Sequence, residues 1–372
     1  MQTSASEALS ADAQAETDSH SAPLPAVRLK DVADELRISI STVSRSLAGH
    51  PAISEATREA VRATAARLGY RVPAQGPRSR RTATKLVGVV VGALHNPFMT
   101  VLLTHLYEAL NAHGYQIALM IDPMTEPGRI MTFRPLIDGY LDGLIFATAT
   151  LDSPIVAEMQ RRGVPLALVV RAVENVPVDT VEIDNVHAGA LAAEHLYQLG
   201  HRRIGLVMGP RNTSTSRDRA QGVVGWLADN GVAPDNLALV WGDYTSEAGY
   251  SSAVSMVGGA SPVTAIVAGN DTIALGVLEA AKRYGVPVPG RLSVVGFDDM
   301  PLAGSPLVRL TSIRQPVALM AQTAARRLVD RIKTGSIAAA VRDVLPVHLV
   351  CRDTTGPCPD SGLESGDESR RN

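Results

Sequence analysis

From Leu86 onward, short apolar runs alternate with longer stretches of helical periodicity. The runs are "LVGVVVG", "QIALMI", "GLIFAT", "PLALVV", "RIGLVMG", "AIVAG" and "LSVVGF". None shows an in/out alternation, so each predicts a strand buried on both faces, and the helical stretches between them predict crossovers over parallel sheets. Two segments echo each other. "KLVGVVVGALHNPF" leads into a helix running to "NAHGYQ", and "RRIGLVMGPRNTST" leads into one running to "LADNGV". The echo predicts two similar α/β halves, each opening with its own strand, loop and helix.

Before Leu86 the pattern changes to short amphipathic helices. Leu29, Val32, Ala33 and Leu36 form one apolar stripe on a first helix that ends by Arg37. Ser39 is placed to cap a second helix, in which Val43 and Leu47 face inward and Ile40, Ser41, Ser44 and Arg45 face out. A third helix starts at Ser54, carries Glu55 in its first turn, buries Val61, Ala65 and Leu68, and stops at Gly69. Three short helices with a tight connection between the first two are the parts of a helix-turn-helix, whose second helix enters the DNA major groove. Alternatively, they form an ordinary three-helix bundle with a solvated polar face.

Charge separates these readings. Residues 28–85 hold 12 basic and 5 acidic side chains, a balance of +7, within a chain of 35 basic and 37 acidic residues whose net charge is −2. The remainder therefore holds 23 basic and 32 acidic residues, or −9. A basic head on an acidic body is the electrostatic footprint of a nucleic-acid-binding domain joined to a domain of another kind. Small hydroxyl residues allow the second helix a close approach to the duplex, and Arg45 can reach a guanine edge or a phosphate.

The segment "LKDVADELRISISTVSRSLAGHPAISEATREAVRATAARLGY" resembles the DNA-binding head of the LacI/GalR family of bacterial transcriptional regulators, above all in "STVSR", "ISEATR" and "LGY". The resemblance implies that Ile40, Ser41 and Arg45 read bases and that Thr42, Ser44, Ser54 and Thr57 hold phosphates. Three features depart from the family pattern. Leu36 and Arg37 replace a small residue and a glycine in the turn, and Ala48 replaces a common asparagine. "RVPAQGPRSRRTATK" then stands where many relatives have a hinge helix with a minor-groove leucine. Gly76 and Pro77 disfavour such a helix. Arg78, Arg80 and Arg81 read either as an extended arm entering a narrow minor groove or as a plain basic linker.

In doubly wound sheets, ligands gather beyond the carboxyl ends of the strands. The polar and aromatic residues that follow the apolar runs are Asn96 and Phe98, Arg217 and Arg219, Asn270 and Asp271, and Asp298 and Asp299. The resemblance extends through this body, from "HNPF" to "VCRDTT", and implies a core like that of periplasmic sugar-binding proteins with an effector between its halves. Carried over by position, Tyr244 is an aromatic platform, Arg219 the effector-binding arginine, Asn270 a polar ligand group and Asp298 the acidic one. Asn96 and Phe98 join them from the other half, and Gln315 lies near a crossover. An arginine fork and a carboxylate each bind vicinal hydroxyls in pairs, and a tyrosine stacks on the C–H face of a sugar ring. Val170 stands where many relatives carry an acid before the arginine equivalent to Arg171. Arg–Asp pairs also serve as structural ion pairs in α/β cores.

Catalytic and metal chemistry finds no support. The chain has no GxxxxGK[ST], GxSxG or HExxH. His187, His195 and His201 are not spaced as ligands on one helix face and read as surface histidines. Cys351 and Cys358 are too few and too far apart for a disulfide framework or a CxxC site. No cofactor is expected. The first 27 residues contain no Lys or Arg and read as a disordered tail, not a signal peptide, and no run suits a membrane span.

The expected organisation is a tail at 1–27, a helix-turn-helix domain at 28–70, a basic linker at 71–85, an effector-binding and dimerisation core of two α/β subdomains at 86–356, and a second tail at 357–372. That tail lacks the heptads of a tetramerising helix. The chain reads as a cytoplasmic, ligand-responsive transcriptional regulator, expected to repress, that binds palindromic operator DNA as a homodimer under control of a sugar-like small molecule. The rival is a sugar-binding transport receptor or sugar-processing enzyme on the same α/β scaffold, which the basic head disfavours.

Overall fold

The computed structural model describes residues 29–47, 53–68, 83–92, 94, 96–122, 134–259, 262–334 and 339–359. The expected N-terminal tail and Arg78, Arg80 and Arg81 of the linker lie outside the described residues. The chain divides into two compact units, Met1–Arg81 and Thr82–Asn372.

In the first unit, α1 (Leu29–Leu36), α2 (Ile40–Leu47) and α3 (Glu55–Leu68) close around Val32, Ala33, Val43, Val61 and Ala65. The turn between α1 and α2 accepts its unusual sequence. Arg37 adopts φ +54°, the left-handed conformation that glycine takes without penalty, and its N–H donates to the Asp34 carbonyl at 3.2 Å. Ser39 then caps α2, its Oγ accepting from the Thr42 N–H at 3.1 Å. Ser54 stands just outside α3 and caps it in the same way, accepting from the Thr57 N–H at 3.3 Å.

The second unit is built on two six-stranded sheets. The first has the order β11-β5-β4-β3-β1-β2, with β1 Leu86–Val91, β2 Gln116–Ile121, β3 Gly143–Phe146, β4 Leu166–Val169, β5 Asp179–Ile183 and β11 Arg342–Leu345. The second has the order β12-β10-β9-β8-β6-β7, with β6 Ile204–Met208, β7 Leu237–Trp241, β8 Ala265–Ala268, β9 Ser293–Asp298, β10 Thr311–Arg314 and β12 His348–Val350. The two orders repeat one topology, as the sequence echo predicts. All pairings are parallel, as expected, except β12 with β10, which is antiparallel. After its crossover from β10, the chain returns with only the three-residue β12, which closes that edge in the opposite sense.

Several strands were invisible as apolar runs. β5 reads "DTVEI" yet is buried throughout, because Arg331 holds Asp179 through two hydrogen bonds of 2.6 and 2.7 Å and Arg342 holds Glu182 at 2.6 Å. Pairing of this kind makes a buried carboxylate tolerable.

The chain passes between the subdomains three times: from β5 into α7 (Asn185–Gln198), from β10 into α11 (Val317–Thr334), and from β11 into β12. α11 packs on α4 (Pro97–Ala112) and on β3, β4 and β5 of the first subdomain, whereas α7 packs on α8 (Ser214–Asp229) of the second. Both subdomains therefore present the carboxyl ends of their parallel strands to the crevice that the crossovers span.

His201 corrects the reading of a surface histidine. It is fully buried, with Nδ1 2.9 Å from Thr264 Oγ1 and Nε2 3.0 Å from both Ser293 Oγ and the Gly356 carbonyl, so it ties the C-terminal segment to the second sheet. Burial lowers its pKa below the usual histidine value.

Candidate functional site

On the head, α2 presents the residues that the sequence assigns to DNA. Ile40, Ser41, Ser44 and Arg45 are exposed, Thr42 is half-buried, and Ile40 is 49% exposed although apolar. Arg45 lies along its own helix, Nε donating to the Ser41 carbonyl at 3.3 Å. Ser54 and Thr57 stand together at the start of α3, their hydroxyls 2.8 Å apart. Hydroxyls at a helix N-terminus suit phosphate oxygens.

In the second unit, the seven residues proposed from the sequence line one crevice: Asn96, Phe98, Arg219, Tyr244, Asn270, Asp298 and Gln315. Met99, Val170, Arg171 and Thr215 complete it. The cavity they enclose is narrow, about 20 Å³, the room of about one water and far below the usual range for small-molecule sites, so a larger ligand requires the crevice to widen. Arg217, which shared the strand-end position, turns away to pair with Glu174 and Asp218.

Each side chain is set by the element behind it. Asn96 follows β1 and caps α4, its Oδ1 accepting from the Phe98 N–H at 3.1 Å. Asn270 follows β8 and caps α10 (Asp271–Arg283), its Oδ1 accepting from the Ile273 N–H at 2.9 Å. The caps occupy the carbonyl oxygens, so each asparagine offers its amide NH2 to a ligand. Arg219, 2% exposed on α8, donates from Nε to Asn185 Oδ1 at 2.9 Å and from Nη1 to the Gly269 carbonyl at 2.6 Å. Its guanidinium stacks 4.6 Å above the Phe297 ring, and Nη2 stands 3.7 Å from Asp298 Oδ1.

Asp298 ends β9 with φ +104°, a conformation uncommon outside glycine that aims its carboxylate into the crevice. Gln315 Nε2 donates to Asp298 Oδ1 at 2.5 Å, while Gln315 Oε1, also buried, has no hydrogen-bond partner among the described residues. Burial raises the Asp298 pKa to about 6 against the attraction of Arg219 and the hydrogen bond of Gln315. Asp271 behind it is also held well above the carboxylate range, first by burial and then by the charge of Asp298.

Tyr244 lies flat against Gly209, where any Cβ would overlap its ring, and its hydroxyl is 2.8 Å from Thr215 Oγ1 and 2.5 Å from Ser216 Oγ. Arg171 stands 5.6 Å from the ring centroid. Burial alone would raise the tyrosine pKa, but Arg171 and Arg219, with the two hydroxyls, bring it below its usual value. Val170 directs Arg171 from the end of β4 with φ +75°, an outlier for a β-branched residue. Arg171 was identifiable, because it follows the run "PLALVV" as the other candidates follow theirs. Thr215 lies one helical turn before Arg219 on the same face, and that spacing is the signal that could have found it.

The crevice thus collects amide and guanidinium donors, one carboxylate and two aromatic side chains, a set suited to binding a small polyol. Among the described residues, no group of three or more His, Cys, Asp or Glu side chains could hold a metal ion, and no helix is long and apolar enough to cross a membrane.

Comparison with known proteins agrees with both halves of this description. The family model for bacterial regulatory proteins of the lacI family matches residues 28–72, and that for a periplasmic binding protein-like domain matches residues 193–355. The chain is 34% identical over 342 residues to the HTH-type transcriptional regulator MalR of Streptomyces coelicolor, covering 89% of this chain and 97% of that one. The structure of the transcriptional regulator CelR in complex with cellobiose superposes with a TM-score of 0.67 at 31% identity, covering 88% of this chain and 99% of that one. The lac repressor dimer bound to operator and an anti-inducer superposes with a TM-score of 0.66 at 27% identity, covering 89% and 99%.

Proposed function

This chain belongs to the LacI family of bacterial regulatory proteins and is a DNA-binding transcriptional regulator; from that premise we propose that it represses transcription from a palindromic operator as a homodimer, released or held by a neutral sugar in the crevice of its second unit. The observation that carries the sugar reading is the convergence of residues from both subdomains on one buried polar space. There the Gln315 Oε1 lacks a hydrogen-bond partner among the described residues, and Arg219 lines the same space. A buried acceptor with no partner is unfavourable by about 1–3 kcal/mol, and a hydroxyl-bearing ligand removes that penalty.

In this reading Asp298 and Arg219 grip adjacent hydroxyls, Asn96 and Asn270 donate amide hydrogens from opposite subdomains, and Phe98 and Tyr244 cover the apolar face of the ring. Phe98 and Asn96 belong to the first subdomain, and Arg219, Tyr244, Asn270 and Asp298 to the second, so a ligand that touches both favours one closure angle. On the head, Ile40, Ser41 and Arg45 read bases while Thr42, Ser44, Ser54 and Thr57 hold phosphates. Arg78, Arg80 and Arg81 extend the basic footprint. The relatives regulate transcription, and we assign this chain a binding role in the cytoplasm with no catalytic step.

The test is operator affinity by fluorescence anisotropy, with and without cellobiose, maltose, ribose and galactose, alongside light scattering of the free protein. Saturating effector at 100 times its Kd should also stabilise the protein by about 2.7 kcal/mol. Sequence-independent binding, or a monomer on DNA, would refute the operator reading.

A further inference from the structure

Arg219 is keyed to α7 twice, once through its side chain and once through its backbone. Its Nε–H donates to Asn185 Oδ1 at 2.9 Å, and both residues are buried, at 2% and 3% exposure. Asn185 in turn donates from Nδ2 to the carbonyl of Ile183, the last residue of β5, at 3.3 Å. The helices that carry the two residues touch backbone to backbone. A Cβ on Gly189 of α7 would overlap the Arg219 carbonyl oxygen, and one on Gly222 of α8 would overlap the Val186 carbonyl oxygen. Asn185 is also the first residue of α7, directly after the first of the three crossovers, with Asp184 as the cap. The arginine in the crevice is therefore referenced to the chain segment that joins the subdomains.

We propose that Asn185 is a positioning residue for Arg219: its Oδ1 fixes the Nε edge of the guanidinium so that the Nη edge faces the crevice, and it ties ligand contact at Arg219 to the crossover at Ile183–Asn185. The proposal rests on the effector reading given above. A guanidinium is planar, so holding one edge sets the direction of the other. Without Asn185, the Gly269 carbonyl, Asp298 and the Phe297 ring still hold the Nη end, but the Nε edge loses its acceptor and the guanidinium its second in-plane anchor. Because α7 is pressed on α8, Asn185 moves with Arg219, and its Nδ2–H bond to the Ile183 carbonyl is the contact through which the end of β5 bears on that pair.

The contact is tested directly by the hydrogen-exchange rate of the Arg219 Nε–H in the full-length protein, its resonance assigned by loss in Arg219→Lys. The parent should show a slowly exchanging Nε–H, Asn185→Ala should accelerate it at least tenfold, and Asn185→Asp, which keeps an acceptor oxygen, should restore protection to within about threefold. The functional arm titrates cellobiose, maltose and ribose. Asn185→Ala should weaken the sugar that the parent binds by about tenfold while sugar-free operator affinity stays within twofold, and Asn185→Asp should recover most of the loss.

An unchanged exchange rate in Asn185→Ala overturns the proposal, as does unchanged sugar affinity when Arg219→Lys abolishes binding. If Arg219→Lys leaves sugar affinity intact, the effector site itself is misassigned. If the parent binds none of the sugars, the exchange rate alone decides the contact.

Discussion

Replacing Asp298 by Asn separates ligand binding from folding at one atom. The residue is 6% exposed, its Oδ1 already accepts from Gln315 Nε2, and an amide of the same shape keeps that acceptor while removing the charge. Its carboxyl sits at about 6, against an ordinary value of 3.8, because burial penalises the charged form. At 1.36 kcal/mol per pH unit, that displacement makes the ionised group unfavourable to folding by about 3 kcal/mol. The folded protein holds this proton more tightly than the unfolded chain does. The penalty is therefore full above about pH 6 and fades as the pH falls through 6 towards 3.8. Asp298→Asn should accordingly be no less stable than the parent at pH 7, and its unfolding free energy should rise less between pH 7 and pH 4, by up to about 3 kcal/mol. Some of the slope remains, since Asp271 is shifted in the same direction. Ligand binding should move the other way. A charge-assisted hydrogen bond contributes about 1.5–3 kcal/mol, so effector affinity should fall roughly tenfold to hundredfold with sugar-free operator binding unchanged. Urea melts at several pH values and operator anisotropy with titrated sugar provide both readouts. A variant that responds to sugar at the parent's concentration refutes the site. Equal pH slopes refute the electrostatic argument.

Arg45→Ala should weaken operator binding by about 1–3 kcal/mol with a smaller effect on random DNA, measured by anisotropy on both; no loss on either removes α2 from the interface. Changing Arg78, Arg80 and Arg81 together to Ala should flatten the salt dependence of binding by a slope of about 0.9 for each phosphate no longer neutralised, and an unchanged slope leaves them as linker. Gly222→Ala should destabilise the second unit by about 1–3 kcal/mol in urea titration, because the added methyl meets the Val186 backbone, which cannot give way as a side chain could.

The head was legible in the sequence because each of its helices carries its own stripe and the second and third carry their own start signal. Ser39 and Ser54 both cap where the hydroxyl pattern places them, and Val32, Val43, Val61 and Ala65 are the core that the spacing selects. The turn was harder to read. Leu36 and Arg37 break the family's small-residue pattern, yet the left-handed turn survives in Arg37, since it has exposed space and tolerates a modest backbone penalty of about 1–2 kcal/mol. In the body, the apolar runs exposed seven of the twelve strands, and β5 was among those missed because its charges are neutralised at long range. Asp179 in β5 is held by Arg331, 152 residues away, and Glu182 by Arg342, 160 away. Local periodicity carries no trace of partners so distant.

The crevice was legible for a different reason, which also explains what was missed. A parallel sheet sends every strand end to one side, so a residue immediately after an apolar run is a candidate whatever its type, and Asn96, Asn270 and Asp298 all obey that rule. Arg171 obeys it too, but the departure that stands out in the sequence is its neighbour Val170, whose side chain lines the cavity in a strained conformation. Arg219 and Thr215 instead occupy the first turns of α8, where helix spacing governs, and Asn185 is not among the residues that line the crevice. Its role becomes visible only when the two glycine contacts that press α7 against α8 are seen in three dimensions. The sequence therefore reveals residues that meet a ligand at strand ends more readily than those that aim them. The latter depend on helix-to-helix distance, set here by the absence of a side chain at Gly189 and Gly222.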